Sequence, residues 1–311
     1  MRGFRLTQPF RGIFSIAQTP FTDTGEIIWD DFEVECDWIV RTGAHGFVYP
    51  VMVSEFTVLS YPERVQAMSI AVRTVAGRIP VVIGVADTST DGAARLAQEA
   101  AQAGADAVIA MPPWGTKLTS NDLIEGYYRA LADAGGLPIF IQNAGPPLGS
   151  SLPGAFVVEL CETIPLVQYL KEEKPPQGQS LTEVLDLAGP GTRGVFSGGN
   201  CRYLIAEYGR GVAGSMPPSH VADLDAQVWD LLEAGEEAKA HEIHNAKIVL
   251  ENAIMGLPGG VMACKEVLVR RGVISNSAVR GRGALRLDDH DSAALDYALS
   301  LVEPYYRVES A

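Results

Sequence analysis

The residue with the clearest chemical potential is Lys171, last in the apolar run Val167-Gln168-Tyr169-Leu170-Lys171. Side chains alternate along an extended strand, so Val167, Tyr169 and Lys171 share one face. If that face lines a barrel interior, desolvation favours the neutral amine, which can attack a carbonyl and form a Schiff base. The plainer reading is a strand-end lysine reaching solvent beside Glu172 and Glu173. Lys174 competes for the role, but Pro175-Pro176 directly after it places it in a loop.

Other chemistry-bearing patterns are weaker. Gly209-Arg210-Gly211-Val212-Ala213-Gly214 matches a dinucleotide fingerprint in letters only, because it leads into a strand instead of following one. His241-Glu242-Ile243-His244 resembles a zinc motif, but its histidines are three apart, which favours a structural role. His45 and His220 are single loop histidines without spaced partners, and Trp114 reads as packing or a pocket wall. Cys36, Cys161, Cys201 and Cys264 are scattered with no CxxC spacing, as suits reduced thiols in a cytoplasmic protein and not a metal site.

The elements that must position Lys171 follow a regular alternation. Strand candidates fall at 12–18, 46–49, 81–86, 107–110, 138–142, 167–171, 194–196 and 212–215, with helix-like stretches between them. Thr42-Gly43-Ala44 and Ala103-Gly104-Ala105 each put a capping glycine between a helix and a strand. Such units close most economically as a (β/α)8 TIM barrel, an α/β fold with its chemistry at the C-terminal ends of the strands. The rival, a doubly wound open sheet, wants a glycine-rich loop after its first strand, and Thr19-Pro20-Phe21-Thr22-Asp23 stands there instead. After Ala234 only helical patterns remain, so residues 1–235 read as the barrel and 236–311 as a C-terminal helical extension packed on it.

Composition narrows the partners. The chain has 311 residues, 47% hydrophobic and 20% charged, and a net charge of −14. Length alone allows two domains, but a barrel of about 250 residues plus a tail accounts for it. An acidic chain without a basic run repels phosphate backbones and anionic lipid, so neither nucleic acid nor membrane is an expected partner. Met1 to Phe14 lacks the apolar core of a secretory signal. An anionic substrate must be held by a local pocket.

Taken in order, these segments resemble the dihydrodipicolinate synthase / N-acetylneuraminate lyase family of class I aldolases. The opening Gly12-Ile13-Phe14 to Thr19-Pro20-Phe21 carries the likeness, with Gly77-Arg78-Ile79-Pro80-Val81, Ala103-Gly104-Ala105-Asp106 and Tyr169-Leu170-Lys171-Glu172 following in order. Phe196-Ser197-Gly198-Gly199-Asn200 and Cys264-Lys265-Glu266 complete the series, which spans residues 11–303. The resemblance implies a barrel with a helical tail, a homotetramer, no metal or organic cofactor, and a Schiff-base lysine at Lys171. It also implies backbone contacts with the substrate at Gly198 and Ala213.

The departures are informative. The family's threonine-bearing loop after strand 2 is here Val51-Met52-Val53-Ser54-Glu55, where the amides of Val53 and Ser54 with the Ser54 hydroxyl are candidates to bind a carboxylate. The family's proton-relay tyrosine aligns with Gln142, beside Asn143 as a substrate contact; a second tyrosine aligns near Trp114, and the synthases' arginine falls at about Pro147. A glutamine hydrogen-bonds but does not shuttle protons as a phenol does. Glu55 is then a candidate base or acid, or else a carboxylate that merely closes the loop. The pattern resembles members that dehydrate 2-keto-3-deoxy sugar acids. The resulting expectation is a Schiff-base lyase that dehydrates or cleaves a hydroxylated 2-keto acid. A pyruvate-dependent aldolase or synthase is the nearer alternative, and a non-catalytic keto-acid sensor the more distant one.

Overall fold

The structure is a computed structural model that describes residues 9–114, 120–145, 149, 151–281 and 285–308. Eight parallel strands close into a barrel in chain order. They are β1 (Gly12–Ile16), β2 (Gly46–Tyr49), β3 (Val81–Gly84), β4 (Ala107–Ala110), β5 (Ile139–Asn143), β6 (Val167–Glu172), β7 (Gly194–Ser197) and β8 (Gly214–Ser215). Helices α1 (Trp29–Arg41), α2 (Tyr61–Val75), α3 (Thr90–Ala103) and α4 (Asn121–Gly135) follow the first four strands. Helices α5 (Gly154–Thr163), α6 (Gln177–Leu187), α7 (Leu204–Tyr208) and α8 (Ala222–Glu233) follow the rest. Each strand is buried on both faces, as a parallel sheet wrapped in helices requires. The open-sheet rival is thereby excluded.

Two apolar layers result. Phe14, Ile16, Val48, Val82, Ile109, Phe140, Tyr169, Phe196 and Met216 point inward from around the barrel and form one cluster. The residues between them, such as Ile13, Phe47, Ile83, Ile141 and Leu170, pack outward against the helices. The floor is aromatic: Tyr169 stacks on Phe140 with ring centroids 4.5 Å apart, and Phe10 caps both while donating its N–H to the Tyr169 hydroxyl at 3.2 Å. Gly84 allows one close crossing, since a methyl there would lie 1.7 Å from the Pro50 carbonyl oxygen.

One sequence expectation needs correction. Val167 does not share a face with Tyr169 and Lys171. The register against β5 shifts between Ile139–Val167 and Phe140–Tyr169, leaving Gln168 as an extra residue. This bulge reverses the alternation, so Val167 joins the outer core and Tyr169 the inner one. Lys171, two residues beyond Tyr169, stands above the aromatic floor on the side of the barrel mouth.

Beyond α8 come α9 (Glu237–Gly256), α10 (Gly260–Arg270) and α11 (Asp289–Val302). They are fastened to the barrel by buried charges. Lys247 of α9 pairs with Asp225 of α8. Arg271 grips Asp223 through two bonds of 2.8 and 2.7 Å and lies 3.7 Å from the Tyr306 ring. Among the described residues, no helix is long and apolar enough to cross a membrane.

Candidate active site

Lys171 occupies the last turn of β6, with only 4% of its side chain exposed. The following residues diverge, because the strand ends and the chain must turn toward α6. Glu172 points outward: its carboxylate accepts from Asn143 Nδ2 at 2.7 Å and from the Lys174 N–H at 2.8 Å. Burial raises its pKa, and those hydrogen bonds offset part of the rise. Glu173 folds back over the mouth instead. Its Oε1 lies 3.4 Å from Lys171 Nζ, and its Oε2 accepts from Gln142 Nε2 at 2.8 Å. Gln142 reaches this point because it lies opposite Lys171 in the β5–β6 ladder, inward-facing like Phe140 two residues earlier.

Gly198, at the end of β7, forms the wall behind the Glu173 carboxylate. A methyl on Gly198 would stand 2.1 Å from Glu173 Oε1. The structure therefore brings Lys171, Gln142 and Gly198 together around a carboxylate, Glu173, that sequence reasoning treated only as a solvent-side neighbour. The one available signal was four charged residues, Lys171 to Lys174, running from an apolar strand into prolines, and it does not say which of them turns inward.

The loop after β2 is organised by bonds within the fold. The Ser54 hydroxyl donates to the Ala17 carbonyl at 2.6 Å and accepts from the Val51 N–H at 3.2 Å, while its own N–H donates to the Val51 carbonyl at 3.0 Å. Thr19 Oγ1 donates to the Ser54 carbonyl at 2.5 Å and is 3.0 Å from the Tyr49 hydroxyl. Ser54 is thus committed to the loop, while the Val51 side chain belongs to the barrel's inner cluster and Val53 packs against it. Glu55, in left-handed backbone geometry (φ 59°), faces the helical extension. Its carboxylate pairs with the buried Lys265 of α10 and accepts the Arg280 N–H at 3.0 Å. Burial lowers the Lys265 pKa, and Glu55 opposes that shift. Of the two roles the sequence left open for Glu55, this geometry matches loop closure.

Two other expected contacts lie elsewhere. Asn143 faces outward, with Nδ2 also donating to the Leu152 carbonyl at 3.0 Å and Oδ1 accepting the Leu152 N–H at 2.8 Å. Ala213 precedes β8, which is only two residues long; it packs beside Gly194, the first residue of β7, well below the mouth. The inner position beyond β8 is taken by Met216. Trp114 meets Phe56 edge-on at 5.3 Å, and Pro147 lies outside the described residues. His45 Nδ1 accepts the Ile13 N–H at 3.1 Å and Nε2 faces Asp230, a structural arrangement. No group of three or more His, Cys, Asp or Glu among the described residues is arranged to hold a metal ion.

A TIM barrel with an enclosed lysine at the end of its sixth strand, roofed by a carboxylate and an amide, has the parts a lyase of the Schiff-base class requires. Comparison with known sequences makes that specific: the chain belongs to the dihydrodipicolinate synthetase family, whose model matches residues 9–292. It is 28% identical over 276 residues to an L-2-keto-3-deoxyarabonate dehydratase of Azospirillum brasilense, covering 88% of this chain and 89% of the relative. It is 29% identical over 303 residues to a 4-hydroxy-tetrahydrodipicolinate synthase of Rhizobium meliloti, covering 93% and 97%. Among solved structures, a dihydrodipicolinate synthase from Rhodopseudomonas palustris superposes with a TM-score of 0.84 at 26% identity, over 94% of this chain and 97% of the other. The prophage protein YagE of E. coli K12, solved with pyruvate, shares the fold with a TM-score of 0.86 at 22% identity, over 94% and 98%.

Proposed function

We propose that this protein dehydrates a 2-keto-3-deoxy sugar acid through a Schiff base on Lys171. The observation that carries the proposal is the Glu173 carboxylate held between Lys171 Nζ and Gln142 Nε2. Lys171 adds to the C2 carbonyl, and the carbinolamine loses water to give an iminium. The iminium acidifies C3, and Glu173, an acceptor-only group when ionised, takes the C3 proton to form an enamine. The enamine electrons then expel the C4 hydroxyl, which leaves as water with the proton returned by Glu173. Hydrolysis of the unsaturated iminium restores Lys171 and releases the product. Gln142 orients the Glu173 carboxylate, and the Val53 amide at the tip of the β2 loop contributes to holding the substrate carboxylate.

Several features favour this chemistry over synthesis with an amino-aldehyde. No tyrosine stands at Gln142 or Trp114 to relay protons, and the nearest carboxylate serves C3 of a bound keto acid. The relative in Azospirillum brasilense is named for such a dehydration. A cytoplasmic homotetramer belongs to the same reading, supported by the family resemblance. The test is to incubate the enzyme with a five- or six-carbon 2-keto-3-deoxy sugar acid, reduce with borohydride and map the adduct by mass spectrometry. The expected adduct sits on Lys171, and unreduced samples accumulate the dehydrated product. Absence of a Lys171 adduct with every such acid overturns the reading, and pyruvate as a product reassigns the enzyme to aldol cleavage.

A further inference from the structure

The turn after β7 is the most constrained backbone near the site. Gly199, Asn200 and Cys201 follow one another with φ of +62°, +58° and +54°. Glycine adopts this region freely and asparagine tolerates it, but consecutive left-handed residues persist only when their surroundings impose them. Here the imposition comes from the helical extension. Lys247 Nζ donates to the Asn200 carbonyl at 2.8 Å, and Asn200 Nδ2 donates to Glu251 Oε2 at 3.0 Å. Lys247 and Glu251 are four residues apart on α9 and so present one face to the turn. Both are fully buried.

Each charge has a partner of its own. Lys247 pairs with Asp225 of α8, and Glu251 Oε1 meets His220 Nε2, just beyond β8, at 3.0 Å. Docking a helix does not require buried ions, since well-packed apolar residues serve as well or better. What distinguishes these charges is where they end. The turn they hold begins at Gly198, the wall against Glu173, and its Gly199 is braced by Gln177, which donates to Glu207 at 2.8 Å. Glu207 in turn accepts from Ser197, the last residue of β7, at 2.6 Å.

We propose that Lys247 and Glu251 of the helical extension are positioning residues for the reaction: they clamp the left-handed turn at 199–201 so that Gly198 sets the Glu173 carboxylate between Lys171 and Gln142. The inference rests on the role assigned to Glu173 above. Without the clamp the turn relaxes toward right-handed geometry, Gly198 shifts, and the carboxylate loses its register with C3 of the bound substrate. Schiff-base formation on Lys171 does not need the clamp.

Two variants test this. Asn200→Gly keeps the left-handed backbone available and deletes only the bond to Glu251. Lys247→Met with Asp225→Leu removes the charge pair while retaining apolar volume. Competent sites are counted by borohydride trapping of a 2-keto-3-deoxy sugar acid on Lys171, and dehydration is measured per trapped site. We expect undiminished trapping, a KM within about threefold of wild type and a kcat at least ~10-fold lower. In a Glu173→Gln background, adding Asn200→Gly costs nothing further, because both changes remove the same group's action. Wild-type kcat per trapped site in Asn200→Gly, or a full additional loss in the Glu173→Gln background, overturns the clamp. If the double variant does not fold, Asn200→Gly decides alone. Wild-type turnover by Glu173→Gln itself would instead defeat the Glu173 assignment, which separates the two failures.

Discussion

Gly198→Ala puts the role of Glu173 to a direct steric test. The added methyl lands 2.1 Å from Glu173 Oε1, 2.7 Å from its Cδ and 2.8 Å from its Cγ. Non-bonded heavy atoms settle at about 3.5–4.0 Å, so the carboxylate must retreat by more than ~1 Å. It has somewhere to go, since 20% of the Glu173 side chain is exposed toward the mouth. The fold therefore gives way locally, and the urea midpoint stays close to wild type. The 3.4 Å spacing to Lys171 Nζ and the 2.8 Å bond from Gln142 do not survive together. A misplacement of ~1 Å at the reacting atoms costs up to ~100-fold in rate.

The assay is dehydration kcat, measured beside borohydride trapping on Lys171. Trapping should persist while kcat falls by roughly two orders of magnitude. Shortening the acid in the same background, Gly198→Ala with Glu173→Asp, withdraws the carboxylate from the methyl and should recover part of the loss. An alanine enzyme that turns over at wild-type rate refutes the steric argument. Loss of trapping together with kcat would place the damage on Lys171 instead.

Three further outcomes follow from buried groups. Lys265→Met leaves Glu55 enclosed without its cation and should cost about 3–5 kcal/mol in urea unfolding, while Glu55→Gln in the same chain recovers much of it. Glu35 is held near pKa 7, first by burial and against the bonds donated by Ser219 and the Gln18 N–H, so the folded state binds its proton more tightly than the unfolded chain does. Stability from this group is thus present at low pH and lost as pH rises from about 4.5 toward 7. The difference in unfolding free energy between wild type and Glu35→Gln should move by about 3 kcal/mol between pH 4 and 8, and a flat difference refutes it. Asn143→Ala should lower stability by about 1–3 kcal/mol through the lost bonds to Leu152 and Glu172, yet leave KM unchanged; a raised KM would return Asn143 to the substrate.

Much of the scaffold was legible because short β-branched runs and capping glycines are local signals. The bounds of β2 and β4 match the sequence expectation, and Gly43 and Gly104 adopt the left-handed φ that a helix end requires. The placement of Lys171 was legible for the same reason, as a cation closing an apolar strand. The losses were all non-local. Alternation carries no information about an inserted residue, so the bulge at Gln168 was invisible and Val167 was assigned to the wrong face. Ala213 was expected at the substrate only through the family resemblance; β8 pairs over two residues, Gly214 and Ser215, and Ala213 precedes it beside Gly194. The partner of Glu55 is Lys265, 210 residues away. Which of Glu172 and Glu173 turns inward depends on Asn143 engaging the former and Gln142 the latter, neighbours on a different strand.

The replacement of the relay tyrosine follows from what each reaction asks of its proton carrier. A phenol with a pKa near 10 stays protonated at neutral pH and passes protons between hydroxyl groups, as suits building and breaking a carbinolamine beside an aldehyde partner. An elimination needs a group that first accepts a proton from carbon and then returns it to a departing hydroxyl. A carboxylate does both in sequence, being an acceptor when ionised and a donor once protonated. With glutamine opposite Lys171 in the ladder, the position that would hold the phenol instead donates a hydrogen bond to that carboxylate. Glycine at 198 clears the space the carboxylate occupies. The glutamine and the glycine therefore serve one carboxylate: Gln142 holds it by a hydrogen bond, and a side chain at 198 would displace it.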